Sequence, residues 1–401
     1  MNEPDLGRRA LLLGGALATA GAVAAAGRGP ERRAGTAMPV AFFGEHQPGV
    51  LAPPAPAAIV ASANVMAAER DGLVELFTTM TARVRALVSG AAAPSTGVGE
   101  VPADSGTLGP TPAPRGLTVT LGVGASLFDE RFGLADRKPA RLGTMEAFPD
   151  DDLDPAWCHG DLSLVIAAES QDVALHALRD LARHTRGAMQ LNWKLDGFTS
   201  PARPDGAPRN HFGFKDGTAN PDTASSKEMA RLVWAAADDQ PWTRGGSYQV
   251  VRLIKMLVEF WDRINIEEQE QIFGRDRASG APLTGNTESD EPDYASDPAG
   301  KAIPLTSHIR LANPRSPQTA RSQILRRAYN YSRGVDANGN VDLGLIFTCY
   351  QQDIAEQFAT VQRRLAGEPL VDYIRPYGGG YFFALPGVRD ERDYFGRALL
   401  Q

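Results

Sequence analysis

The 401-residue sequence has only two cysteines, Cys158 and Cys349. Two cysteines cannot form a CxxC metal knuckle or a disulfide framework. An exported protein could join them in a single disulfide, and two buried free thiols are an equally good interpretation. The sequence therefore excludes a fold stapled by disulfides and leaves the pairing of these two thiols open.

Short motifs that identify several enzyme classes are also missing. The sequence contains no HExxH motif, no GxSxG nucleophile elbow, no Walker A loop, and no GxGxxG that follows a strand and opens a helix. His176 and His184 lie on one predicted helix but are two turns apart, so they do not form an i, i+4 metal pair. A zinc hydrolase is therefore poorly supported.

Positive charge and long apolar runs are scarce as well. The chain has 41 Lys and Arg against 48 Asp and Glu, a net charge of −7. This balance argues against a nucleic-acid partner, which would require a basic patch. Beyond the N-terminus no run of about eighteen strongly apolar residues occurs, so we expect no membrane span in the mature protein.

The N-terminus has the pattern of an export signal. Arg8 and Arg9 precede an apolar run from Ala10 to Ala26, which is rich in Ala and Gly and ends in small residues suited to cleavage. Adjacent arginines at this position predict twin-arginine export, and an ordinary secretion signal or a weak anchor is the alternative. We therefore expect the mature protein in the periplasm, the cell envelope or the medium.

Periodic segments predict an α+β fold made of two ferredoxin-like halves. In the first half the predicted strands are 57–66, 116–124, 161–170 and 188–198, with helices at 71–90 and 172–187 and a flexible insertion at 91–115. Strand-helix-strand followed by strand-helix-strand is the order of a ferredoxin-like unit.

The second half appears as the same plan with insertions. Its predicted elements are a short strand running into a helix over 245–264, a helix at 266–274, a long polar loop at 278–302, a segment at 322–334, a strand at 343–351, a helix at 353–367 and a closing segment at 372–387. We divide the chain into an export signal and lead (1–37), an N-terminal half (38–228) and a C-terminal half (229–401). Sheets of this kind offer edges and faces for self-association into a homo-oligomer.

Two polar residues are candidates for chemistry. Asp216 stands before Gly217 in "HFGFKDGTANP" (211–221), where Asp-Gly indicates either a surface turn or a carboxylate held over a reactive group. His308 follows the polar loop in "IPLTSHIRLANPRSP". A lone histidine is usually structural or solvated, but histidine is also the common axial ligand of haem iron. Residue spacing alone does not decide between these interpretations.

Five motifs together resemble those of the dye-decolorizing peroxidases. "GFKDGTANP" (213–221) is similar to the GxxDG motif of that family, and four further segments resemble it in the same order. These segments are "HIRLANPR" (308–315), "ILRRAYNYSRG" (324–334), "GLIFTCYQ" (344–351) and "YIRPYGGGYFFALPG" (373–387). With "FFGEHQPG" (42–49) and the N-terminus, they point to the exported branch that includes the bacterial deferrochelatase/peroxidase.

The resemblance implies one haem b per chain, enclosed by the two ferredoxin-like halves. His308 would be the proximal iron ligand, Asp216 the distal acid-base residue and Arg326 the distal arginine. The remaining haem contacts would be Gly217, Thr218, Ala219, Asn313, Pro314, Arg315, which would neutralise a propionate, and Phe347 on the distal face. Asp372 would hydrogen-bond the imidazole of His308. Some relatives have an asparagine two residues after the distal arginine, and this chain has Ala328 there.

The activity implied is a peroxidase that uses hydrogen peroxide to oxidise dyes, phenols or other aromatic donors. Asp216 would move a proton between the peroxide oxygens, and Arg326 would stabilise the negative charge that develops. The alternative is a haem-handling deferrochelatase, for which haem itself is the substrate and iron the product. A third interpretation is a haem-free binding module in which Asp216 is only a turn residue.

Overall fold

Nine antiparallel strands form the centre of the fold in a computed structural model, which describes residues 40–236 and 239–401. The strands are β1 (Ala57–Val65), β2 (Thr118–Gly124), β3 (Leu162–Ala168), β4 (Met189–Phe198), β5 (Ser247–Met256), β6 (Leu325–Arg326), β7 (Tyr329–Val335), β8 (Val341–Gln351) and β9 (Ile374–Ala384). The first four belong to the N-terminal half and the other five to the C-terminal half.

The two halves repeat one strand order. The first half runs β2-β3-β1-β4 across the sheet, and the second runs β7-β8-β5-β9, with the two-residue strand β6 added beside β8. In both halves the first and third long strands lie in the middle, which is the arrangement of the ferredoxin-like unit. The expected fold class is confirmed.

The halves join edge to edge and close a barrel. Strand β2 pairs with β9 around Gly122 and Ala384, and β4 pairs with β7 around Gly197 and Tyr331. Pairing of β5 with β8 completes a ring of eight strands. Closure pairs the outer strands of both halves with each other, so these strands are not free to pair with a second copy of the chain. A homo-oligomer remains a prediction, but unpaired outer strands no longer support it.

The helices cover the outside of the barrel or connect its strands. They are α1 (Pro48–Leu51), α2 (Arg70–Ser89), α3 (Gln171–His184), α4 (Ser226–Leu232), α5 (Val258–Trp261), α6 (Ile266–Phe273), α7 (His308–Ala312), α8 (Thr360–Leu365), which follows a π-helical turn at Ala355–Ala359, and α9 (Arg397–Leu400). Helix α2 buries an apolar stripe that includes Leu73, Phe77 and Met80, as its 3.6-residue period predicts. It ends at Gly90, whose φ of 69° gives the left-handed cap.

Strands β1, β2 and β3 of the N-terminal half are buried on both faces, whereas β4 alternates between buried and more exposed residues. In β1, Ile59 and Ala61 pack in the core beneath the helices, whereas Ala58 and Val60 point into the barrel. Alternate residues of a strand face opposite sides, so each strand serves two cores. The larger core contains Phe77 from the first half together with residues of the second half, including Tyr248, Val250 and Phe383.

Most predicted elements are confirmed within about two residues. The segment 245–264 differs, because β5 alone takes ten residues and the helix after it is short. The predicted insertion at 91–115 contains no helix or strand. The division at 228/229 falls inside α4 and stays a prediction, while Ala37–Gln401 form one unit.

Three further sequence-based expectations concern the two cysteines, membrane-spanning helices and the N-terminal export signal. Cys158 and Cys349 are both free thiols, so the disulfide alternative is not realised. None of the helices in the described part of the chain is long and apolar enough to cross a membrane. The predicted export signal lies outside the described residues.

Candidate active site

A compact turn fixes the position of Asp216. The Asn210 side-chain oxygen accepts hydrogen bonds from the backbone N–H groups of Phe212, at 3.0 Å, and Phe214, at 3.2 Å. Both phenylalanine rings are buried in a cluster with Trp261. The Asp216 N–H donates to the Pro208 carbonyl at 2.8 Å. The buried Phe212 and Phe214 rings and the bonds to Asn210 and Pro208 therefore anchor the turn that carries the Asp216 carboxylate.

Asp216 forms an ion pair with Arg326. The Arg326 Nη1 atom lies 3.2 Å from Asp216 Oδ1, and both side chains are partly exposed, at 26% and 18%. Asn220, in the same turn as Asp216, makes two hydrogen bonds to the Arg326 backbone. Its Nδ2 donates to the Arg326 carbonyl at 3.0 Å, and its Oδ1 accepts from the Arg326 N–H at 2.9 Å. One turn thus carries the carboxylate and positions the arginine.

The ion pair lines a cavity. Its walls include Asp216, Gly217, Arg326, Ala328 and Leu345. Gly217 has a φ of 113°, a conformation that strongly favours glycine. A Cβ at this position would meet nothing closer than the Asn220 amide nitrogen at 3.7 Å. The structure therefore requires glycine here for its backbone angle, and the space beside it is open.

Glu288, which the sequence did not single out, ties the polar loop to this turn. Its carboxylate lies 2.5 Å from Lys215 Nζ and accepts a hydrogen bond of 2.8 Å from Thr218 Oγ1. These residues stand on either side of Asp216, whereas Ala219 beyond them is exposed. Burial raises the pKa of Glu288, but the bonds from Lys215 and Thr218 outweigh it and the net shift is downward. The carboxylate is therefore held ionised.

His308 begins the short helix α7 and is oriented by a carboxylate. Its Nδ1 lies 2.9 Å and 3.0 Å from the two oxygens of Glu368, and its ring is 5.9 Å from that of Phe273. Among the described residues nothing hydrogen-bonds its Nε2. Burial lowers the pKa of His308, and the adjacent Glu368 carboxylate more than offsets this, so the pKa is raised overall. A carboxylate on one ring nitrogen and a free second nitrogen suit a metal-ligating histidine.

The carboxylate beside His308 is therefore Glu368, whereas the sequence suggested Asp372. Both acids lie in the segment just before "YIRPYGGG", one helical turn apart. The 3-10 turn Pro369–Tyr373 begins immediately after Glu368 and carries Asp372 onward. Only the docking of this turn against α7 determines which acid reaches the imidazole.

The charges of the Asp216–Arg326 pair also act on His308. Arg326 lowers and Asp216 raises the pKa of its imidazole, so the three side chains lie within electrostatic range of one another. His211 is engaged elsewhere, with its Nε2 3.0 Å from the Tyr331 carbonyl. The structure therefore gathers one histidine, one aspartate and one arginine from three distant parts of the sequence.

The end of α7 leads to a cationic residue in an uncommon backbone conformation. Asn313 ends the helix and its side-chain oxygen accepts from the Arg315 N–H at 3.1 Å, across Pro314. Arg315 has a φ of 54°, which costs energy for a residue with a side chain and persists only where the surrounding structure enforces it. Its guanidinium meets the exposed carboxylate of Glu291 at 3.0 Å.

Arg275 and Tyr294 form a second feature that the sequence did not reveal. Arg275 is only 7% exposed, yet the hydrogen bonds from its Nη1 go to the backbone carbonyls of Gly280 and Glu288. Burial lowers its pKa, and the charge of Arg315 lowers it further. The buried Tyr294 hydroxyl has no hydrogen-bond partner within the described chain. A buried cation without a carboxylate and an unpaired hydroxyl suit an anionic group such as a propionate.

Phe347 lies on the strand face that lines the cavity. Leu343, Leu345 and Phe347 alternate along β8 and are all half-buried, and Leu345 contacts the cavity. The ring of Phe347 lies 6.0 Å from that of Phe358. An apolar strip thus runs beside the Asp216–Arg326 pair.

Comparison with known proteins identifies the family. Residues 47–199 match the model of the Dyp-type peroxidase N-terminal domain, and residues 207–389 match that of the C-terminal domain. The chain belongs to the Dyp-type peroxidase family. Members of this family are haem peroxidases, so this Dyp-type peroxidase is an enzyme that works with haem and hydrogen peroxide.

Relatives of this Dyp-type peroxidase share both its sequence and its fold. Deferrochelatase from Escherichia coli O157:H7 is 52% identical over 416 residues, covering 100% of this chain and 98% of the relative. A Dyp-type peroxidase structure from Cellulomonas bogoriensis is 34% identical, covers 91% of this chain and 99% of its own, and gives a TM-score of 0.82. A Dyp-type peroxidase structure from Streptomyces coelicolor is 32% identical, covers 91% of this chain and 98% of its own, and gives a TM-score of 0.83.

Proposed function

We propose that this Dyp-type peroxidase binds one haem b with His308 as the iron ligand and oxidises aromatic donors with hydrogen peroxide. The observation that carries the proposal is the pairing of His308 with Glu368 on one side and of Asp216 with Arg326 on the other. The residues fit the cofactor: a histidine with a free nitrogen, the apolar strip of β8 and the buried cation Arg275. Gly217, Thr218, Ala219, Asn313, Pro314 and Arg315 would border the haem edge.

The protein side chains have separate tasks in this proposal. Haem supplies the iron at which peroxide is reduced. Asp216 accepts a proton from one peroxide oxygen and returns it to the other, so that water can leave. Arg326 supplies a fixed positive charge where negative charge develops. Residue 328 is alanine and adds no polar side chain. Proton transfer and charge stabilisation are therefore assigned to Asp216 and Arg326 alone.

Haem binding through His308 is tested by absorption spectroscopy. His308→Ala should lose most of the bound haem or give the spectrum of a weakly ligated iron. His211→Ala is the matched control and should keep the wild-type spectrum, because its ring bonds the Tyr331 carbonyl. A wild-type spectrum for His308→Ala would disprove the ligand assignment.

A second candidate function is iron release from haem, which the full-length similarity to E. coli deferrochelatase favours. In such a reaction iron leaves the porphyrin and two protons take its place on the ring nitrogens. The haem-loaded protein should then release metal-free porphyrin, measured by its fluorescence, and chelator-trapped iron in equal molar amounts. Donor oxidation with neither product would leave the peroxidase proposal alone.

We further propose that the chain is exported through the twin-arginine route, from the sequence around Arg8 and Arg9. Expression in a host with and without twin-arginine translocation tests this. Arg8→Lys with Arg9→Lys should retain the precursor in the cytoplasm. Unchanged export of that double variant would indicate an ordinary secretion signal instead.

A further inference from the structure

The interior of the barrel contains a cavity of about 270 Å³ at one end. Its walls are even-numbered residues of β2, odd-numbered residues of β3, and aromatic residues of β7 and β8, and its mouth lies under the segment 53–56. The residues that define it are Thr118, Thr120, Val165, Ala167, Tyr329 and Tyr350. Barrel mouths are common ligand sites, and the volume suits a molecule smaller than a typical drug.

A buried cation lies at this cavity. Arg327 lines it and is only 6% exposed. The guanidinium donates to the backbone carbonyls of Arg326, at 3.1 Å, and Leu51, at 3.0 Å. Its Nε is buried and has no hydrogen-bond partner, and the partners of the guanidinium in the described chain are backbone carbonyls, not carboxylates.

Another buried arginine, Arg252, has the carboxylate partner that Arg327 lacks in the described chain. Arg252, 1% exposed, forms an ion pair with the buried carboxylate of Asp151, as buried charges usually do. A buried charge without a partner is strongly destabilising. Arg327 is a buried cation that lines the cavity without a carboxylate partner among the described residues, and it therefore suits an anion that enters the cavity.

The rest of the lining limits the kind of anion. Val165, Ala167 and Pro53 are apolar, so the body of the ligand should be apolar too. Glu169 stands exposed at the mouth, and its carboxylate would repel a second negative charge there. We propose that the cavity binds a small organic monocarboxylate with an apolar body, of the size of benzoate, and that its carboxylate pairs with Arg327.

This site is distinct from the proposed haem site and does not depend on the proposed function. Arg326 lines the cavity beside Asp216 that belongs to the candidate active site. The next residue, Arg327, lines the separate cavity inside the barrel. Pro54 borders both cavities.

Calorimetric titration of the haem-loaded protein with benzoate tests the proposal. Benzoate should bind with one site per chain, and benzyl alcohol and inorganic phosphate should each bind at least about tenfold more weakly, because each lacks one half of the recognised chemistry. Arg327→Gln should weaken benzoate binding by about tenfold or more. Ala167→Leu, which fills the cavity and keeps the charge, should do the same, and it serves if Arg327→Gln does not fold. Arg392→Gln, an exposed arginine, is the control.

The haem absorption spectrum, recorded during the titration, identifies the site. It should stay unchanged as benzoate binds in the barrel. No binding of benzoate at millimolar concentration, equal affinity in wild type and Ala167→Leu, or phosphate binding as tight as benzoate would each overturn the proposal. A haem spectral change that saturates with the heat would place benzoate at the haem site and overturn it as well.

Discussion

At the scale of single residues, the Asp216–Arg326 ion pair is the centre of the proposed site, where the two charges are assigned different roles. Their 3.2 Å separation holds each in place. Asn220 adds a backbone restraint on the arginine that does not involve its charge. Replacement of the guanidinium should therefore remove the charge without releasing the strand that carries it.

Arg326→Leu should react with hydrogen peroxide about a hundredfold more slowly than wild type, the scale for loss of one electrostatic stabiliser. Stopped-flow absorbance after mixing with peroxide measures this, and haem content should be unchanged because His308 remains. Arg321→Leu, an exposed arginine nearby in sequence, is the control. If Arg326→Leu keeps the wild-type rate while Asp216→Asn is inactive, the arginine is only a structural partner. A wild-type rate for Asp216→Asn would instead show that the proton moves by another route.

The His308–Glu368 contact predicts a second effect at this scale. Glu368→Gln keeps the size of the side chain but removes the negative charge that orients the imidazole and raises its basicity. Such partners typically contribute about ten- to a hundredfold to metal affinity or activity. We expect a loss in that range, measured as haem affinity and as peroxide rate. Asp372→Asn should be close to wild type, and a reversal of the two results would restore the sequence-based assignment.

Two half-buried histidines, His159 and His211, predict how stability depends on pH. Burial lowers the pKa values of His159 and His211, so the folded pKa lies below the unfolded value of about 6.5. Such groups bind more protons when unfolded, and their effect is to reduce stability as the pH falls below about 6.5 towards the folded pKa. Urea unfolding of the haem-loaded protein at several pH values should show this loss. The double variant His159→Gln, His211→Gln should show a flatter profile, and an unchanged profile would contradict the prediction.

At the scale of elements, the polar loop 278–302 acts as a clamp on the turn that carries Asp216. Glu288 reaches across to Lys215 and Thr218, and Arg209 of the same turn donates to the carbonyls of Arg277 and Ala278. A loop of this length without helix or strand is uncommon in a compact protein unless it has a function. Its contacts here hold the turn in place.

Glu288→Ala should release this clamp and slow the peroxide reaction by about ten- to a hundredfold, because small displacements of a reacting group are costly. Haem content should stay near wild type, since His308 and Glu368 lie outside the clamp. Thr218→Val, which removes one of the contacts, should have a smaller effect in the same direction. If Glu288→Ala reacts at the wild-type rate, the turn holds its own shape through Asn210 and Pro208.

Elements with a strong local pattern were predictable, and those without one were not. The apolar stripe of α2 and the strands β1 and β3 follow directly from their spacing. The four-residue α5 and the π-helical turn 355–359 have no such signature, because they pack on the short turns 369–373 and 320–322 respectively and are set by that packing rather than by local preference. The same limit explains why Glu288 was not singled out within its loop.

At the scale of the whole molecule, the closed barrel makes the two halves interdependent. The larger core combines Phe77 and Ile59 of the first half with Tyr248, Cys349 and Phe383 of the second. The barrel interior does the same with Val60 and Leu253. Neither half can bury its apolar surface alone.

Fragments 38–228 and 229–401, expressed separately, should therefore fail to fold. Separation exposes the inner faces of both sheets and leaves their edges unpaired. Circular dichroism and size-exclusion chromatography of each fragment measure this, and residues 38–401 in one chain should unfold in a single transition. Two independently folded fragments would instead establish the predicted division as a boundary between true domains.

The sequence by itself determined the class of the fold and supplied the residues of the proposed central site. Periodicity gave the strands and helices because it depends only on neighbours along the chain, and motif resemblance gave His308, Asp216 and Arg326. Tertiary structure decided the closure of the barrel, the choice of Glu368 over Asp372, the Glu288 clamp, and the burial of Arg275 and Arg327 without an ion-pair partner in the described part of the chain. These depend on which distant segments meet, and burial and charge pairing at such meetings are properties of the packed chain that no local pattern encodes.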